Sequence, residues 1–176
     1  MNTASSGLSR RKLLRTAAIG VPAAGAVALG ANLVMAPAAN AIATDGYWGA
    51  ETTKALQKML NKLYPEANLV VDGVVSSQPS SFQSRCPGIT GGWEWVADDK
   101  AEGSPTMEKL SGWLFLQSGL PTGPTKVLAD TVLYSLFSRY NLSKGDDEYR
   151  LDAPSEAIRG LQNEINLTLR EKPAQQ

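Results

Sequence analysis

Few side chains in this sequence are equipped for bond-breaking chemistry. Histidine is absent from its 176 residues, which removes Ser-His-Asp and Cys-His nucleophilic catalysis and the His-dependent zinc sites of amidases and peptidases. The single cysteine, Cys86, has no partner for an intrachain disulfide and no histidine to activate it. It is expected to be a plain buried thiol, with a reactive thiol or an intermolecular crosslink as the other reading. Glycoside cleavage needs only two carboxylates, so Glu94 with Asp98, Asp99 or Glu102, beside Trp93 and Trp95, is the one catalytic set available. Those acids lie in a polar stretch where solvated surface is the default. Asp146, Asp147 and Glu148 lack the alternating ligands and closing glutamate of a calcium loop, so no metal or other cofactor is expected. What remains is adhesion: Asp45 and Asp72, each followed by glycine, as hydrogen-bond acceptors, and Tyr47, Trp48, Trp93 and Trp95 as stacking rings. The bland alternative is that each aspartate braces its own turn, Trp48 is core, and Trp93 and Trp95 fill a joint between helical modules.

The elements that must position these residues are mostly helices. Asp45-Gly46-Tyr47-Trp48-Gly49 is a turn signal, followed by Ala55, Leu56, Met59, Leu60 and Leu63 at helical spacing, with Lys54, Gln57, Lys58 and Lys62 on the opposite side. This predicts a helix from Gly49 or Ala50 that stops before Pro65. Trp93-Glu94-Trp95-Val96 alternates as a short extended segment or a packed loop. Ser104-Pro105 opens a second helix that carries Met107, Leu110 and Leu114 and closes at Gly119. A third is predicted from Pro124 or Thr125 to about Tyr140, and a fourth over 156–169 with Ala157, Ile158, Leu161, Ile165 and Leu169 on one face. Residues 170–176 read as a polar tail.

The run D-G-x-W-G-x-x-T-T-x-A-L-Q at 45–57, followed by V-D-G-x-x-S-x-Q at 71–78, resembles the peptidoglycan-binding repeats in the non-catalytic region of lysozyme-type muramidases, amidases and phage endolysins. The match is tight over the first repeat. Trp93, Trp95, Gly103 and Ser104 hold the places of a W-x-W connector and its following Gly-Ser. The second repeat is degenerate, since Leu120-Pro121-Thr122-Gly123-Pro124 lacks the Asp-Gly. The third is fair, at Asp152, Ser155, Ala157, Ile158, Leu161, Gln162, Ile165 and Asn166, with Ala153 in place of glycine. The resemblance implies a mainly α fold of two to three degenerate helical repeats packed into one compact body, each a turn plus helix that cannot bury its apolar face alone. The expected divisions are 1–41, 42–100 (first repeat and Trp-rich connector), 101–169 (second and third repeats) and 170–176.

Residues 1–41 read as a twin-arginine export signal. Ser9-Arg10-Arg11-Lys12-Leu13-Leu14 precedes a mildly apolar run diluted by glycine and proline, and Ala39-Asn40-Ala41 offers a cleavage site; a retained membrane anchor is the alternative. The leader carries Arg10, Arg11, Lys12 and Arg15 and no acid, so its loss from a chain with 17 basic and 17 acidic residues leaves a net acidic remainder. That argues against nucleic acid as partner. The resemblance implies a secreted, non-catalytic protein of the cell wall with no membrane contact after cleavage. Its ligand would be the glycan or the stem peptide of peptidoglycan, held through Asp45, Tyr47, Trp48, Asp72, Trp93 and Trp95. A module that regulates an envelope hydrolase, and a secreted lytic factor or toxin, are the competing expectations.

Overall fold

In the computed structural model the described residues are 41–119, 123–145 and 148–171, so the expected leader, Asp146 with Asp147, and most of the polar tail lie outside them. The chain from Asp45 to Gly49 leads into α1 (Ala50–Leu63), whose bounds agree with the apolar spacing. Leu56, Met59 and Leu60 are fully buried, each such side chain contributing about 1.5–3 kcal/mol of burial free energy. Two positions on α1 differ from the pattern. Leu63 is exposed, while Gln57, placed by spacing on the polar side, is buried because it hydrogen-bonds inside the fold. Pro65 opens one 3-10 turn (Pro65–Ala67), and Asn68 reverses the chain in the left-handed region before Leu69 re-enters the core.

Two short strands follow, β1 (Val75–Pro79) and β2 (Trp93–Val96), paired in parallel with Val75 opposite Trp93 and Gln78 opposite Trp95. The Trp-Glu-Trp-Val alternation is thus strand, and the sheet is small enough to leave the fold mainly α. Ser104 caps α2 (Pro105–Ser118) by accepting the Met107 N–H at 3.0 Å, and Gly119 ends it in the left-handed region, as Ser-Pro and Gly foretold.

The third helix is a correction. It does not begin at Pro124 or Thr125; α3 spans Asp130–Arg139. Backbone groups before it are already engaged elsewhere. Ser111 Oγ accepts the Thr125 N–H and donates to the Thr125 carbonyl, Gln78 Oε1 accepts the Leu128 N–H at 2.7 Å, and the Ser104 N–H donates to the Lys126 carbonyl. A segment held from three sides cannot also close helical turns. Leu128 nevertheless reaches the core, as its spacing required.

The last helix, α4 (Glu156–Arg170), is capped by Ser155 and buries Ala157, Ile158, Leu161 and Ile165. Ala153 is not in the left-handed region, so the turn there, which has a cis bond to Pro154, does not call for the glycine that the resemblance would place at 153. Helices pair as α1 with α4 and α2 with α3. Arg139 joins the pairs: its guanidinium lies 4.1 Å from the Trp113 ring centre and it pairs with Glu164, which also accepts the Tyr140 hydroxyl at 2.9 Å. All the described residues belong to one compact unit, and none of their helices is long and apolar enough to cross a membrane.

Cys86 is buried in this core, and burial pushes its thiol up to about 12. A thiol above its ordinary range stays protonated and unreactive near neutrality. Native protein at pH 8 is therefore expected to resist iodoacetamide, with alkylation only in denaturant; rapid native labelling followed by mass spectrometry would contradict this.

Candidate functional site

The two Asp-Gly turns are held by the same set of bonds. At the first, the Gly46 N–H donates to Gln162 Oε1 (2.9 Å), and Gln162 Nε2 shares its two hydrogens among Asp45 Oδ1, the Tyr47 carbonyl and Thr52 Oγ1 at 2.8–3.3 Å. At the second, the Gly73 N–H donates to Gln57 Oε1 (2.9 Å), and Gln57 Nε2 serves Asp72 Oδ1, the Val74 carbonyl and Thr106 Oγ1 at 2.8–3.2 Å. Four residues after each glutamine an asparagine repeats the device. Asn166 bonds both the N–H and the C=O of Ile42, and Asn61 does so for Leu69, each three residues before the aspartate. Gly46 and Gly73 both adopt φ above +80°, a backbone that glycine reaches without the penalty of a Cβ. Thus α1 clamps the turn that follows it, while α4, at the far end of the chain, clamps the turn at the beginning.

Asp45 and Asp72 also accept the N–H two residues on, from Tyr47 (2.9 Å) and Val74 (2.8 Å). These bonds lower both carboxyl pKa values: for Asp45 the Tyr47 N–H is the main cause, followed by Gln162, and for Asp72 the Gln57 amide leads. A depressed carboxylate stabilises the fold above its unfolded pKa, near 3.8, and that contribution is lost as pH falls through the lower folded value. The urea midpoint is therefore expected to fall below about pH 4, and Asp72→Asn, which keeps an acceptor oxygen but not the proton equilibrium, should flatten part of the fall. An unchanged slope in that variant would contradict the assignment.

Trp48 is corrected from ligand platform to core. It is 1% exposed, its indole N–H donates to Thr53 Oγ1 at 2.9 Å, and its backbone is tied to Gly88 and Thr90. Trp93 sets its ring edge-on to Trp48 at 5.3 Å and stacks on Trp95, also at 5.3 Å, so the three rings form one row. Trp93 and Trp95 are half-buried and spend a face on each other. Of the aromatic residues expected to bind, Tyr47 is the one classed as exposed, at 38%.

Tyr47 and Asp45 line a groove of about 490 Å³ with Ala43, Glu51, Thr90 and Gln162. Asp72 and the Trp93–Trp95 pair are not among its lining residues, so the expected site residues divide between this groove and the second turn with its adjoining strands. The apolar spacing of α1 puts Gln57 on the polar face, and no local pattern gives Gln162 or Asn166 a structural task. The available signal was the recurrence of L-Q-x-x-[LI]-N at 56–61 and 161–166.

The acids beside the tryptophans lie at the surface. Glu94, Asp98, Asp99 and Glu102 are exposed, and Asp98 accepts the Ser81 N–H at 3.0 Å. Bonds from Ser81, its hydroxyl first, lower the Asp98 pKa, the opposite of what a general acid needs. Among the described residues no cluster of His, Cys, Asp and Glu has metal-binding geometry. No family model, curated protein or solved structure matches this chain.

Proposed function

We propose that this chain is a non-catalytic, exported protein that binds the peptidoglycan of the cell wall through degenerate turn-helix repeats. The observation that carries the reading is the pair of identical clamps. Each of the two D-G turns is bonded by a glutamine and a threonine, with an asparagine four residues after the glutamine, which supports the reading of related units, and the sequence resemblance includes most of these residues. The first unit also carries the groove of Asp45 and Tyr47, where a wall ligand meets an exposed ring and unspent acceptors. The twin-arginine leader supplies the route out of the cell, and net acidity of the remainder disfavours nucleic acid.

Sedimentation with purified walls tests this. The protein is expected in the pellet, Tyr47→Ala is expected to move most of it to the supernatant, and wall turbidity is expected to stay constant. Retention of the wild type in the supernatant, or clearing of the walls, would overturn the reading.

A second reading, regulation of an envelope hydrolase, is favoured by an apolar groove of about 360 Å³ between Tyr64, Trp113, Phe115 and Leu116, the last 76% exposed. Under that reading Leu116→Lys abolishes partner capture and leaves wall sedimentation unchanged.

A further inference from the structure

Two grooves beside α1 share part of their lining. The groove of Asp45 and Tyr47 shares Ile42 and Glu51 with a second one, of about 410 Å³, that is lined by Lys54, Lys58 and Leu169; Ala41, which also lines both, belongs to the expected leader. One end therefore carries carboxylates and the other ammonium groups.

Each end has binding capacity left over. Asp45 uses Oδ1 for its turn, and its Oδ2 makes no hydrogen bond or ion pair among the described residues. Lys58 is exposed and likewise unpaired among them. Glu51 and Lys54 pair at 3.0 Å, but both are open to water, and such a pair exchanges partners at little cost. Arg159 pairs with Glu156 and donates to the Asp45 carbonyl; its charge also bears on the Asp45 carboxylate but forms no ion pair with it. In the groove of Asp45 and Tyr47, the Ala43 N–H and C=O are also free among the described residues, whereas those of Ile42, which lines both grooves, are consumed by Asn166. Free backbone groups between opposite charges suit a peptide.

A sugar chain finds less here. Its rings need flat apolar surfaces, yet Trp48 is buried and Trp93 is stacked on Trp95, which leaves Tyr47 as the groove's aromatic. A neutral glycan also leaves both charged ends unanswered.

We propose that the double groove takes a short peptide bearing both a free ammonium and a free carboxylate, and not the glycan. This rests on the wall-binding reading, since the stem peptide is the part of peptidoglycan with that chemistry. The ammonium sits between Asp45 and Glu51, and the carboxylate meets Lys58 and Lys54.

The test is a calorimetric titration of the protein with a synthetic stem tetrapeptide containing a diamino acid, its amine-acetylated form, its C-terminal amide, and a chito-oligosaccharide. The free peptide is expected to bind, each blocked form to bind about tenfold more weakly, and the oligosaccharide to give no heat. Asp45→Asn retains the acceptor for the Tyr47 N–H and should erase the effect of acetylation; Lys58→Met, a surface change, should erase the effect of amidation. Binding of the oligosaccharide without the peptide, or indifference to both blocking groups, would overturn the proposal. If walls still pellet the protein while the peptide is silent, this inference fails and wall binding stands. If the peptide titrates as expected while walls do not pellet the protein, wall binding fails alone.

Discussion

Replacing Gln162 with leucine is expected to destabilise the protein by about 3 kcal/mol, because it strips partners from a buried amide network while keeping most of the side-chain volume. The glutamine is 1% exposed. Its loss leaves the Gly46 N–H without an acceptor and takes one donor each from the Tyr47 carbonyl and from Asp45 Oδ1, which keeps the Tyr47 N–H. Gln57→Leu, at the equivalent place on the second turn, should cost a similar amount. Such a loss is a large part of the roughly 5–15 kcal/mol that holds a domain together. Urea denaturation would read it as a lower midpoint at constant slope. The pair carries more weight than either variant alone: equal losses fit two copies of one clamp, whereas a silent Gln162→Leu beside a damaging Gln57→Leu would show that the closing contact between α4 and the first turn is dispensable.

The second large effect is expected at Gly88. A Cβ there would lie 2.2 Å from the Asp152 carbonyl oxygen and 3.0 Å from both the Leu151 carbonyl oxygen and the Ile158 side chain. Gly88 threads between two segments. Its N–H donates to the Leu151 carbonyl at 2.7 Å and its carbonyl accepts the Trp48 N–H at 2.8 Å. Backbone cannot yield as a flexible side chain does, so Gly88→Ala is expected to cost about 3 kcal/mol, the upper part of the usual range for overpacking. The damage should also reach the groove, since the displaced strap holds Trp48, next to Tyr47. A thermal midpoint within about one degree of the wild type would contradict the close approach, given that 1 kcal/mol moves the midpoint of a domain this size by roughly 2–8 °C.

The helices were legible because their signals are local. Apolar residues at three- and four-residue intervals, Ser104 and Ser155 as caps, and Pro65 and Gly119 as stops set α1, α2 and α4. Residues 124–129 misled for the converse reason: their spacing is helical, but Ser111, Gln78 and Ser104 hold their backbone from distant parts of the chain, and no local pattern records such bonds. The same limit applied to the site. Asp45 and Tyr47 were visible as a turn, and their place in a groove depends on Gln162, 117 residues from Asp45. Trp48 shows the ambiguity of indole rings most clearly, since composition alone cannot tell a stacking platform from a core plug. Gln57 and Gln162 were hidden by the habit of assigning polar residues to the outside; buried, each exchanges several bonds with water for an equal number within the protein.

A wall-binding protein of this fold must meet wall fragments at the groove of Asp45 and Tyr47. Amide chemical-shift mapping of the labelled protein during titration with soluble muropeptides measures this residue by residue. The prediction is a contiguous set of shifts over residues 42–54 together with Thr90 and the Gln162 side-chain amide. Shifts confined to Tyr64, Trp113 and Leu116, or none at saturating fragment, would contradict it.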